Sequence, residues 1–197
     1  MTKQTHSSGG FLIALITLNI FITKYLIHYS ISYGLLSIVI FFYASHIGSL
    51  FPDIDMKSSF ISKRHPFISK IFGKRCRHRG FTHSLLAMLI LYVIFKLFII
   101  ISNDNIIIIS MCYGFFIGYA SHLILDLLTK EGIELLYPFK ANLNVFFIKT
   151  NSSGEKNFNR FLKFIISLYI LYNIYLIANN VFHLDILNYL NLNNLGK

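Results

Sequence analysis

Seven side chains able to bind metal ions or move protons fall into four short groups: His6; Asp53 and Asp55; His78 and His83; His122 and Asp126. Imidazole nitrogens and carboxylate oxygens without thiolate suit Zn²⁺ or a similar first-row ion, Mn²⁺ included. Seven donors exceed the four ligands of one tetrahedral zinc, so two or more ions is the natural expectation. His122 and Asp126 are spaced i, i+4 and share one helix face. Gly114 and Gly118 continue that stripe and leave room for a neighbouring helix. A carboxylate inside an apolar segment costs a few kcal/mol, and such residues usually face a partner or a site. The bland alternative is an Asp at a helix end reaching the headgroups.

The other groups need turns. His78 and His83 are five residues apart and would not share a face of a continuous helix. Gly80 can supply the turn, and Thr82 or Ser84 can cap the helix that follows. Pro52 disfavours helical geometry in the residue before it, so the chain should leave its helix near Phe51. Extended chain beyond that point would send Asp53 and Asp55 to the same side. A solvated acidic pair at a helix end is the competing reading. His28, His46, His65 and His183 fit no group and are set aside.

The elements that position these residues are membrane helices. Of 197 residues 55% are hydrophobic and 13% charged, with a mean hydropathy of +0.61, where a soluble domain is about 25% charged. Five runs approach the length of about 20 apolar residues that spans a bilayer: residues 11–26, 31–51, 85–101, 106–128 and 161–182. The first is read as an uncleaved helix, because no small-residue cleavage site follows it. Residues 129–160 are expected to be a loop with a short interfacial segment. The fold class is therefore all-α, a single membrane-embedded domain over residues 1–197. Cys76 and Cys112 form no C-x-x-C pair or disulfide framework and are expected to be free thiols.

Orientation follows from Lys and Arg, which are in excess in cytoplasmic loops. Lys57, Lys63, Arg64, Lys70, Lys74, Arg75, Arg77 and Arg79 lie between the second and third spans, and Lys130, Lys140, Lys149, Lys156, Arg160 and Lys163 follow the fourth. The opposite loops hold almost none. Five spans then put the N-terminus in the cytoplasm and the C-terminus outside, and bring all four groups to the cytoplasmic face. The net charge of +10 is read as attraction of these loops to anionic headgroups, worth about 1 kcal/mol per basic residue near the surface, and not as nucleic-acid binding.

In the order Thr5-His6, residues 48–55 with Pro52-Asp53-Ile54-Asp55 at their core, residues 78–84, and residues 118–126 followed by Thr129, Gly132 and Tyr137-Pro138, the chain resembles the YdjM-like bacterial inner-membrane proteins, regarded as metal-dependent hydrolases. The resemblance covers about residues 1–140, leaving a basic loop and terminal helix in 141–197. The same order is more distantly similar to zinc-dependent phospholipase C and the P1-type nucleases, soluble helical enzymes that hydrolyse phosphodiesters with a zinc cluster. This chain lacks their full set of downstream histidines.

The resemblance implies a hydrolase of the bacterial inner membrane cleaving a phosphoester, with membrane phospholipid as the substrate class. His6, Asp53, Asp55, His78, His83, His122 and Asp126 would hold the metal, Asp55 would orient or deprotonate water, and Arg79 would bind the phosphoryl oxygens. Two other classes fit the same residues: a metal-stabilised membrane regulator or scaffold without catalysis, and a metal or proton transporter.

Overall fold

The computed structural model describes residues 1–75 and 78–182. Cys76, Arg77 and His183 lie outside the described residues. Helix α1 (Lys3–Phe21) runs on through a π-helical turn (Ile22–Leu26), and α2 (Ile31–Gly48) returns alongside it. A 3₁₀ turn (Phe51–Asp55), two short helices, α3 (Phe60–Arg64) and α4 (Pro66–Arg75), and a second 3₁₀ turn (Phe81–His83) lead into α5 (Leu85–Ile101). The last two helices are α6 (Ile106–Leu127) and α7 (Ser153–Phe182). No strand occurs among the described residues, and the fold is the expected all-α membrane bundle.

Helix α6 is the hub. It packs on α1, α2 and α5, and it is the most buried of the long apolar helices. Away from the site, Ala14, Phe21, Phe41, Ile99, Ile109 and Cys112 form the apolar core, so Cys112 is a buried free thiol. Outward faces carry exposed Ile16, Leu35, Val39, Leu89 and Leu97, suited to lipid because each helix satisfies its own backbone.

The span boundaries differ from expectation in instructive ways. Three helices, Lys3–Leu26, Ile31–Gly48 and Ile106–Leu127, are long and apolar enough to cross a membrane. Helix α5 has 17 residues, about 25 Å at 1.5 Å per residue, short of a hydrocarbon core of about 30 Å. The fifth expected span falls in α7, whose side chains from residue 176 on lie outside the described set. Helix α1 begins at Lys3 and not near Phe11. Its polar first turns find partners inside the protein: Ser8 Oγ donates to the Gln4 carbonyl, and Thr5 Oγ1 donates to buried Glu155 of α7 at 2.8 Å.

The closest approach in the bundle is between α2 and α6. A Cβ at Gly114 would lie 2.3 Å from the Phe41 carbonyl oxygen, one at Gly118 2.1 Å from that of Ser45, and one at Gly48 2.1 Å from that of Phe115. Backbone meets backbone along this line, and no side chain fits between them. Gly118→Ala should therefore destabilise the protein by about 1–3 kcal/mol by wedging the helices apart, whereas Gly34→Ala, with nothing within 4 Å, should not. Thermal unfolding of the two variants in detergent measures the difference.

Candidate metal centre

Four segments meet at one end of the bundle. The tight α2–α6 contact sets the Ser49 carbonyl, just past the end of α2, within 2.7 Å of His122 Nδ1. A carbonyl only accepts, so His122 carries its proton on Nδ1 and Nε2 presents a lone pair. The second imidazole is fixed in the same sense. Thr82 Oγ1 donates its one proton to Asp55 Oδ2 at 2.7 Å. Its oxygen therefore accepts from His83 Nδ1 at 3.0 Å, and His83 Nε2 is also unprotonated. The Tyr119 hydroxyl donates to the Thr82 carbonyl from the α6 side and holds this turn down.

The two bare Nε2 atoms lie 3.2 Å apart. Asp53 Oδ1 is 3.6 Å from that of His83 and 3.7 Å from that of His122, and Asp126 Oδ2 is 3.7 Å from both. With both imidazoles neutral, four electron-pair donors converge, of which Asp126 is also met by the Met1 amine and the Arg79 guanidinium. Such an arrangement is repulsive unless a cation sits between them. Metal–ligand bonds of about 2.0–2.1 Å in tetrahedral geometry put neighbouring ligand atoms about 3.4 Å apart. The five separations that involve a histidine run from 3.2 to 3.7 Å, close to that value, and the donors fall into two overlapping trios, His83–His122–Asp126 and His6–Asp53–His122, whose nitrogen and oxygen atoms suit zinc.

His6 stands beside this quartet. Its ring stacks on His122 with centroids 3.7 Å apart. Its Nε2 lies 3.3 Å from Asp126 Oδ1, yet both ring nitrogens are buried without a hydrogen-bond partner. His6, Asp53 and His122 form a second overlapping donor group. A buried orphaned imidazole costs free energy unless something engages it, and a further cation shared through the carboxylates would do so. Asp126 Oδ1 also accepts from the Met1 amine at 2.6 Å.

Two expected ligands, Asp55 and His78, sit behind the group of donors and not within it. Residues 51–55 are a 3₁₀ turn, not extended chain. With three residues per turn, positions two apart diverge. Asp53 therefore faces the quartet while Asp55 turns to the layer behind it. Both Asp55 oxygens are already engaged, by His78 Nδ1 at 3.0 Å and by Thr82. Asp55 is thus a positioning residue for His83 and not a free base. His78 reaches Asp55 and not the quartet; its side chain is 40% exposed, and the hydrogen bond to Asp55 draws its pKa upward against the effect of burial. The left-handed residue between the two histidines is Arg79, with φ 65°, and not Gly80. Ser84 caps α5, accepting from Ala87 N.

Arg79 Nη1 donates to the Gly132 carbonyl at 3.1 Å and to Thr129 Oγ1 at 3.3 Å, while Nη2 lies 3.8 Å from Asp126 Oδ2. Its guanidinium ties the α6–α7 loop to the Asp126 carboxylate. His28, His46 and His65 are exposed and belong to neither donor trio. Sequence reasoning missed Tyr119, the Ser49 carbonyl and Glu155. Glu155 is buried and accepts from Thr2 N, Asn151 N and Thr5 Oγ1. Burial alone would raise its pKa, but those donors hold it below the usual carboxylate value. Its sequence signal is weak: an acidic residue in the first turn of a helix, where the macrodipole favours it.

The tautomer argument is directly testable through Thr82→Val, which keeps the shape but removes the hydroxyl that orients His83. Groups behind a metal ligand are typically worth about 10–100-fold in affinity. Zinc affinity measured by chelator competition should fall by that order while the protein stays folded.

Comparison with known proteins places the chain among bacterial membrane proteins. The profile of a family described as YdjM inner membrane protein matches residues 1–180, beyond the 140 residues of the sequence resemblance. An uncharacterized protein YvsG of Bacillus subtilis is 40% identical over 111 residues, 56% of this chain and 65% of that one. Inner membrane protein YdjM of Escherichia coli is 40% identical over 89 residues, 45% of this chain and 44% of its own length. The chain thus spans about half to two thirds of the curated relatives that it matches. No solved structure matches, and the likeness to phospholipases and nucleases gains no support from these relatives. With a match over nine tenths of its length and an apolar helical bundle to go with it, the chain belongs to the YdjM family of inner membrane proteins.

Proposed function

We propose that this protein is a membrane-embedded, metal-dependent hydrolase acting on a phosphoester, with membrane phospholipid as the substrate class. One observation carries the reading: the donor atoms of His83, His122, Asp53 and Asp126 gather at one end of a lipid-facing bundle. These four residues would hold a divalent cation, zinc by the chemistry of the donors, with His6 and the carboxylates available to a second ion. When bound, such a cation supplies Lewis acidity, polarising a phosphoryl oxygen and making nearby water more acidic.

The protein's own groups do the remaining work. His83, His122 and Asp126 are buried, whereas the Asp53 side chain is 20% exposed. The approach to the centre is therefore on the Asp53 side, where half-exposed His78 also stands. His78 can hold a proton there, because Asp55 stabilises its charged form. Arg79 places positive charge beside Asp126, suited to an anionic phosphoryl group, and its planar fork is suited to holding two oxygens. Basic residues on either side, Lys130 and Lys140 among them, favour the cytoplasmic leaflet.

The burial of three of the four ligands favours a second reading, a structural metal in a protein without catalysis. Metal analysis of detergent-purified protein, followed by product analysis with phospholipids, separates the two. Wild type should contain bound metal and release product, and Asp126→Asn should lose both together. Arg79→Lys should keep its metal and lose turnover. Metal retained at full stoichiometry, unfolding on chelation and no product from any phosphoester would replace the hydrolase with the structural reading. The orientation has its own check. In a Cys76→Ser background, a membrane-impermeant thiol reagent should reach Lys140→Cys only after the inner membrane is permeabilised.

A further inference from the structure

The stretch between α6 and α7 presents large apolar side chains where a loop in water would not. Phe139 is 74% exposed, Val145 69%, Phe146 60% and Phe147 77%. None of them lies on a membrane-spanning helix. Their depth is nevertheless set by one, because the returning stretch of the loop is hydrogen-bonded to the last turn of α6. Val145 N donates to the Leu127 carbonyl at 2.8 Å and Ile148 N to that of Leu128 at 3.2 Å. Those carbonyls are among the groups a helix C-terminus leaves unpaired. Residues 145–147 are therefore held at the level where α6 ends.

The loop also satisfies much of its own backbone. Lys130 N donates to the Ile148 carbonyl, and Ile133 and Leu143 exchange both of their hydrogen bonds. That pairing covers the base of the loop, while the amides of Phe146 and Phe147 are left to the hydrated interfacial layer and do not suit the hydrocarbon core. Exposed Lys140 and Lys149 flank the aromatic tip. At the same end of the bundle α4, packed on the 3₁₀ turn that carries Asp53, exposes Phe67 next to Lys70. Aromatic residues flanked by lysines match an anionic bilayer interface, apolar below and negatively charged above.

We propose that residues 139–149 form an interfacial wedge, with Phe146 and Phe147 inserted below the headgroups of an anionic phospholipid bilayer and Lys140 and Lys149 paired with its phosphates. The inference does not depend on whether the metal centre hydrolyses anything. It does give the centre a neighbourhood: Arg79, which stands beside Asp126, donates to the Gly132 carbonyl and accepts from Glu134 N at the base of the same loop. The base of the loop and the Asp126 carboxylate thus meet at one residue, Arg79, and a lipid that seats the wedge is brought to the side of the bundle where the centre lies.

The chain contains no tryptophan, so Phe147→Trp supplies a single fluorophore with little change in shape. The full-length variant would be reconstituted into nanodiscs of phosphatidylcholine, with or without phosphatidylglycerol, using lipids brominated at shallow or deep chain positions. Val39→Trp, on the exposed face of α2, serves as the deep reference. Phe147→Trp should emit at short wavelength and be quenched most by shallow bromines, at about 5–10 Å below the boundary. The quenching should be stronger when phosphatidylglycerol is present. Phe146→Trp should behave alike, which guards against a local folding defect in either variant. Long-wavelength emission quenched by aqueous iodide would overturn the proposal. So would short-wavelength emission that no bromolipid quenches, since the tip would then be buried against protein. Equal quenching with and without phosphatidylglycerol would overturn the anionic partner.

Discussion

The contact on which the rest of this structure depends is the backbone-to-backbone approach of α2 and α6. Gly48, Gly114 and Gly118 leave no side chain on that line, and their hydrogens face the carbonyls of Phe115, Phe41 and Ser45. Lipid tails are as apolar as Leu, so water gives these helices no reason to associate; van der Waals contact and polar bonds at short range must do so. The approach has a chemical consequence at its end. It places the Ser49 carbonyl against His122, which sets the imidazole's tautomer, and it carries the 3₁₀ turn with Asp53 over the last turns of α6, where Asp126 waits.

A second constraint is electrostatic. The protons of the layer behind the two imidazoles are committed away from the centre: His122 Nδ1 to Ser49, Thr82 to Asp55, His83 Nδ1 to Thr82, His78 Nδ1 to Asp55. This layer turns lone pairs inward and charge compensation outward. Asp55 is part of the outer layer for that reason, although its residue type would serve in the inner one. The layer also explains why a buried tyrosine, Tyr119, belongs to the site. By bonding to the Thr82 carbonyl, it fixes the turn whose hydroxyl orients His83.

The polar end of the bundle is braced from two further sides. Glu155 of α7 collects donors from the first turn of α1 and from Asn151, holding the helix that carries His6. Arg79 collects the loop after α6 and faces Asp126. Both braces are charges engaged by several polar partners, which in a membrane protein marks a position worth its desolvation cost. The apolar core at the other end, around Phe41 and Cys112, needs no such arrangement.

Much of this was legible in the amino-acid sequence. Hydropathy alone identifies membrane helices, because a bilayer permits few other structures. The i, i+4 spacing of His122 and Asp126 and the glycines above them follow from helical periodicity, and α6 keeps it. Where the local geometry was irregular, sequence reasoning failed. Proline was read as the start of extended chain, but a 3₁₀ turn also accepts it, and the difference of backbone twist sends Asp55 away from Asp53. Helix α1 starts earlier than its apolar run because partners for Thr5 come from residue 155. The tautomer of His122 depends on the Ser49 carbonyl, 73 residues distant, and that of His83 on a Thr82 hydroxyl oriented by Asp55, 27 residues from it, through hydrogen bonds that no spacing records. Residue types and periodicity were determined by the sequence; which nitrogen carries the proton was decided by the tertiary structure, because a proton goes to the nitrogen that faces an acceptor, and only folding brings that acceptor there.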